Sequence, residues 1–179
     1  VINYNGERCL PATLGAAMEV ADQFAEIVLV DNGSTDGSLG LAARDFPDVR
    51  VIARPDNGGP GVARNAGIQA ARTDRVLFID NDVTLTPGCT ATLGRALDDD
   101  ANAVIAMPVV IYAGRRDTVQ YAGAGSHFLG LMTLLCQNEP VDKVTGAPVD
   151  VGSCVTCAFL LDRKRMGETA PFDEDFFYQ

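Results

Sequence analysis

Two carboxylates stand one residue apart in Val76-Leu-Phe-Ile-Asp80-Asn81-Asp82, where an apolar run gives way to a polar turn. Aspartate and asparagine are common where strands end and helices are capped, so a turn alone accounts for them. In an extended segment, however, residues i and i+2 point the same way. Two like charges so placed repel, and a hard divalent cation between them and a diphosphate would relieve both sides. That arrangement would also let an acidic protein hold an anionic ligand. A calcium loop fits poorly, because Leu85 and Ala91 occupy the places that need glycine and glutamate. On the motif alone, the turn and the cation site both stand.

Other residues offer weaker chemistry. Asp31 ends the apolar run Ile27-Val-Leu-Val30 and opens a dense turn signal, Asp31-Asn-Gly-Ser-Thr-Asp36. Its carboxylate could serve the turn or accept a hydrogen bond from a nucleobase N–H. Arg64 follows an apolar helix start, where a solvated surface role is equally open. The single histidine, His127, gives little support to Cys-His or Ser-His chemistry. The five cysteines, an odd number, favour a reducing compartment over a disulfide framework. Cys154-Val-Thr-Cys157 lacks the second pair that zinc would need, and in a strand its thiols would face opposite sides, so both read as buried structural thiols. No P-loop is present, and the glycines at Gly59-Pro-Gly61 and Gly123-Ala-Gly125 lack the third glycine of a dinucleotide fingerprint.

These residues need a scaffold. A chain of 179 residues with 47% hydrophobic content can bury one sizeable core, and one domain is expected. A net charge of -10 weighs against nucleic-acid partners and anionic lipid. No signal peptide or membrane-length apolar run is evident. The opening Val-Ile-Asn-Tyr-Asn-Gly reads as the tail of a strand, and the last residues lack a polar tail, so a fragment cut at both ends is expected.

Apolar runs alternate with helical spacing. Residues 11–24 place Leu14, Met18 and Ala21 on one helical face. Strands are expected at 26–30, 50–53 and 76–79, with helices at 38–46 and from Pro60 through Val62, Ala66 and Ala70. A further helix is expected at 90–97 and strands at 103–112 and 155–161, while 122–149 shows no regular pattern. The β-α-β-α-β-α-β order predicts a mainly parallel sheet covered on both faces. Right-handed crossovers would bring the loops at 3–6, 31–37, 57–60 and 80–82 to one edge, where ligands of open α/β sheets bind.

With VINYNG, VLVDNGSTDGS, RPDNGGPGVARNAGI, LFIDND and APFDEDFF in this order, the chain resembles the family 2 glycosyltransferases, its arrangement being similar to members described as rhamnosyltransferase-like. The resemblance implies a GT-A fold: a Rossmann-like three-layer α/β/α domain across residues 1–179, incomplete at both ends. Residues 1–88 would be its nucleotide-binding half and 89–179 its acceptor-side half. It implies an inverting transfer from a nucleotide-diphosphate sugar to a glycan or glycolipid hydroxyl, in polysaccharide or glycoconjugate synthesis. Asn3, Tyr4 and Asp31 would hold the base, with Asn57 and Arg64 lining the same pocket. Asp80 and Asp82 match the D-x-D motif, the first meeting the ribose and the second holding Mg²⁺ or Mn²⁺. The catalytic base would follow Gln179, with Asp175 as a lesser candidate. Cys157 departs from a glycine that many members carry on the acceptor side.

A cytoplasmic location is expected, with peripheral attachment to the inner membrane face as a further option. A non-catalytic nucleotide-sugar-binding module or inactive fragment is the alternative. A sugar-phosphate nucleotidyltransferase fits less well, because Asn3-Tyr-Asn-Gly6 is not the glycine-rich Arg/Lys loop that group expects after its first strand.

Overall fold

The computed structural model describes residues 1–129, 131–144, 146–167 and 171–177. Its first half alternates strand and helix: β1 (Ile2–Asn3), α1 (Leu10–Met18), β2 (Val28–Asp31), α2 (Ser38–Asp45), β3 (Arg50–Ala53), α3 (Gly59–Ala70) and β4 (Arg75–Ile79). The second half holds α4 (Cys89–Asp99), β5 (Ile105–Ala106), β6 (Val110–Tyr112), β7 (Arg115–Tyr121), β8 (Ala124–Ser126), β9 (Met132–Leu134), β10 (Ala158–Asp162) and α5 (Arg163–Met166).

The parallel sheet expected of the first half forms as β1-β2-β3. The other three-stranded sheet, β4-β10-β5, is antiparallel, with β10 between its neighbours. An isolated parallel bridge between Ile2 and Asp80 joins β1 to the end of β4. The sheet is therefore mixed. It is parallel where helical crossovers connect the strands and antiparallel where β10 returns from the far end of the chain.

Side-chain alternation builds the layers. Val28, Val30, Val76, Phe78, Phe159 and Leu161 pack in one core with Ala63 and Ile68 of α3. Their intervening neighbours face the other way. Leu29 meets Leu10 and Leu14 of α1 and Ala42 of α2, while Leu77 and Leu160 meet Leu93 and Leu97 of α4. Phe78 and Phe159 are cross-strand partners, and their rings stack with centroids 4.8 Å apart. The result is a sheet between two helical layers.

Three local expectations are corrected, and one strand lay outside them. The helix expected at 11–24 ends at Met18, because the buried stripe of Leu10, Leu14 and Ala17 has no successor; Ala21 sits in a separate 3₁₀ turn. Helix α3 begins at Gly59, making Pro60 its second residue. The strand expected at 103–112 divides into β5 and β6, which join different sheets, and Pro108 between them has no N–H to donate. Strand β7 was not foreseen: only Val119 and Tyr121 face inward, behind the exposed Arg115, Arg116 and Asp117.

Candidate functional site

The loops after β1, β2, β3 and β4 meet at the carboxyl ends of the strands, tied by side chains that are mostly buried. Asn3 is fully buried. Its Nδ2 donates to Asp31 Oδ1 at 2.7 Å and to Ser34 Oγ at 3.2 Å, and its Oδ1 accepts from Asn81 Nδ2 at 2.8 Å. Asp31, also fully buried, accepts from the Ser34 N–H at 3.0 Å and the Ser34 hydroxyl at 2.6 Å. Asn32 carries the network into the β3 loop, donating to Asn57 Oδ1 at 2.7 Å and to the Gly59 carbonyl at 3.0 Å. Thr13 of α1 donates to the Asn81 carbonyl at 2.7 Å.

Gly6 makes room for this junction. A Cβ there would stand 2.2 Å from both Asn3 Oδ1 and Asn81 Nδ2. Buried polar groups are costly unless paired, so a network this closely satisfied fixes the relative positions of the loops. Tyr4 stands at the rim, 47% exposed.

The two carboxylates differ from the extended arrangement expected. Asp80 directly follows β4, and residues 80–83 turn, with the Val83 N–H donating to the Asp80 carbonyl at 3.1 Å. Asp80 Oδ1 accepts from Arg64 Nη2 at 2.8 Å. Arg64, predicted to line a ligand pocket, is only 5% exposed, and it also donates to the Thr156 carbonyl at 3.1 Å. Burial pushes the Asp80 carboxyl above its ordinary range; Arg64 opposes that shift, and the Asp82 charge adds to it. Asp82 is exposed and has no ion-pair partner among the described residues. One carboxylate is thus neutralised from within, and the other faces outward.

Residues of the second half of the chain pack close by. The Asp80 N–H donates to the Cys157 carbonyl at 2.9 Å, and Cys157 Sγ is hydrogen-bonded to the Tyr121 hydroxyl. Cys154 and Cys157 precede β10 rather than lying in a strand, and both are half-buried free thiols. Burial pushes Cys154 up to about 11. His127 is exposed in the β8–β9 connection, its Nδ1 accepting from the Leu129 N–H at 3.3 Å. Asp175 is exposed on the segment 171–177.

The structure therefore joins Asn3, Asp31, Asn57, Arg64 and Asp80 through direct bonds or shared neighbours, with Asp82 at their edge. Sequence reading passed over Ser34, Asn32, Asn81 and Tyr121. The Asp31–Ser34 spacing, that of a carboxylate capping an N–H three residues on, held a usable signal for the first. An apolar cavity of about 330 Å³ lies elsewhere, bounded by Phe24, Val28, Val76 and Leu77, and none of the candidate residues lines it.

A profile described as Glycosyl transferase family 2 matches residues 1–156. The chain belongs to that family. Among curated relatives of this chain, the succinoglycan biosynthesis protein ExoO of Rhizobium meliloti is 40% identical over 88 residues, covering 49% of this chain and 25% of that protein. The poly(ribitol-phosphate) beta-glucosyltransferase of Bacillus spizizenii is 38% identical over 87 residues, covering 44% of this chain and 13% of that protein. Each match thus spans a quarter or less of the relative's own length. The structure of GalNAc-T7 with UDP, GalNAc and Mn²⁺ matches 92% of this chain and 35% of that one, with a TM-score of 0.69 and 18% identity. Glucosyl-3-phosphoglycerate synthase from Mycobacterium tuberculosis, in complex with Mn²⁺ and UDP-glucose, matches 58% of this chain and 39% of that one, with a TM-score of 0.50 and 23% identity. These likenesses establish the GT-A fold of the chain. Among its described residues, no helix is long and apolar enough to cross a membrane, and no group of three or more His, Cys, Asp or Glu side chains could hold a metal ion.

Proposed function

We propose that the chain transfers a sugar from a nucleoside-diphosphate donor to an acceptor hydroxyl with inversion, in the synthesis of cell-surface polysaccharide or glycoconjugate. The observation that carries this reading is the row of four strand-end loops, locked together by buried polar bonds and edged by Asp80 and Asp82. Residues 1–88 would form the donor side and 89–179 the acceptor side.

Tyr4 at the rim and Asn57 would receive the nucleoside. Asp31, fully buried beneath them, supports the base site by holding Asn3 and Ser34 in place through three hydrogen bonds. Arg64 acts from behind, fixing Asp80 toward the ribose. The two carboxylates suit a hard Mg²⁺ or Mn²⁺ ion, with Asp82 as the principal ligand and the remaining oxygens coming from diphosphate and water. Such an ion would supply positive charge to the departing diphosphate. The donors named in the GalNAc-T7 and glucosyl-3-phosphoglycerate synthase complexes support a uridine diphosphate sugar as the first to try. The attacking hydroxyl needs a proton acceptor. Asp175, exposed on 171–177, is the candidate within this sequence. The relationship to ExoO supports a polysaccharide product.

Thermal melting with Mn²⁺ and a panel of UDP-, GDP- and dTDP-sugars tests the reading. At least one donor is expected to raise the melting temperature through selective binding to the folded state. No shift with any donor would sink it.

A further inference from the structure

Residues 171–177 lie against the first half of α3. Asn65 Nδ2 donates to the Phe172 carbonyl at 2.8 Å and to Glu174 Oε1 at 2.9 Å. At Gly59, whose φ is +89°, a Cβ would stand 2.7 Å from the Phe177 carbonyl oxygen, so a side chain there would drive the segment off the helix. The Phe172 ring packs beside Phe78 and Phe159, with centroids 6.3 and 6.1 Å away. The Arg64 guanidinium lies over the same ring, 5.6 Å from its centroid. That guanidinium also holds Asp80 at 2.8 Å. One buried cation is therefore shared between the ring of this segment and a carboxylate of the loop row.

The glycine-rich start of α3 invites a phosphate-binding reading in a nucleotide fold, yet here it is a docking surface for another part of the chain. The geometry points to residues 171–177 as a positioning element for Asp80. When the segment docks on α3, Phe172 closes over Arg64 and sets the Arg64–Asp80 pair, which couples the acidic run Asp173-Glu174-Asp175 to the nucleotide side. This inference rests on the donor-binding reading above. Coupling of this kind is reciprocal: if docking favours nucleotide binding, nucleotide favours docking by the same factor.

The test combines hydrogen–deuterium exchange across 171–177 with calorimetric titration of UDP, each with Mn²⁺ and with chelator. It uses the unmodified protein, Phe172→Leu, Phe172→Tyr and Glu174→Ala. UDP with Mn²⁺ is expected to slow exchange in the segment of the unmodified protein. Phe172→Leu is expected to lower the Mn²⁺-dependent UDP affinity about fivefold or more. Phe172→Tyr, which keeps a ring over Arg64, should restore it. Should Phe172→Leu fail to fold, Glu174→Ala decides, since it changes an exposed side chain, removes only the bond from Asn65, and should weaken both the protection and the affinity. Normal Mn²⁺-dependent UDP affinity in these variants, with exchange at 171–177 indifferent to ligand, overturns the coupling and leaves the function standing. No Mn²⁺-dependent UDP binding in the unmodified protein overturns the function, and the coupling with it.

Discussion

The β2 loop and the β8–β9 hairpin are both surface connections, built in opposite ways. The first buries polar groups: Asp31, Asn32 and Ser38 are almost wholly covered, and Ser38 and Asp36 bond to each other and to the β1 loop. The second exposes apolar ones, with Phe128 87%, Leu129 67% and Leu131 63% accessible. A buried polar group must be paired or it costs free energy, whereas an exposed Leu is ordinary on a protein surface. The β2 loop therefore has a geometry that many bonds jointly determine. Among the described residues of the hairpin tip the polar bonds are fewer and exposed.

Gly6→Ala should break the loop row most severely. Its new methyl cannot coexist with Asn3 and Asn81 in their present positions. A loss of about 3 kcal/mol in urea unfolding is expected, from displacing buried hydrogen-bonded groups. A loss below about 1 kcal/mol would show that the junction yields easily. Asp31→Ala comes next, at about 2 kcal/mol, because it strands donors on Asn3 and Ser34. It should also weaken UDP binding while leaving the Mn²⁺ enhancement in place. Unchanged UDP affinity would remove Asp31 from the nucleotide site.

The hairpin supplies the contrast. Phe128→Ser with Leu131→Ser should change unfolding stability by no more than about 0.5 kcal/mol, as expected for exposed positions. A larger loss would mean that the tip is packed in solution, and the two regions would no longer differ. The thiols offer a finer probe. At pH 8 only about one in a thousand Cys154 side chains would be thiolate, given its value of about 11. Iodoacetamide should therefore label the exposed Cys136 and Cys9 well before Cys154, as read by peptide mass spectrometry. Comparable labelling of Cys154 would place it in a more open setting.

The same contrast explains what the sequence disclosed. Compact apolar runs bounded by turn residues located β2, β3 and β4 within a residue or two: β2 is almost wholly buried, and β3, though Val51 and Ala53 are exposed, stands between clear turn signals. Strand β7 escaped notice because only Val119 and Tyr121 turn inward. The division at Pro108 was written in the residue itself but masked by the apolar residues around it. For the site, Asp31, Asp80 and Asp82 were visible as carboxylates at strand ends. What could not be read was pairing across long separations. Arg64 meets the Thr156 carbonyl 92 residues away, and Asn3 meets Asn81 across 78. Local pattern also suggested that Asp80 and Asp82 lie parallel, whereas the turn at 80–83 and the pull of Arg64 give them different surroundings.

The proposed division of labour between those two carboxylates is most directly tested by titrating UDP into the protein, with Mn²⁺ and with chelator, and repeating both titrations on Asp82→Ala. Mn²⁺ should tighten UDP binding to the unmodified protein. The substitution should abolish most of that gain while leaving the fold intact, since Asp82 is exposed and unpaired among the described residues. Equal UDP affinity with Mn²⁺ and with chelator in the unmodified protein, or a full Mn²⁺ gain in Asp82→Ala, would contradict the role assigned to the outward-facing carboxylate.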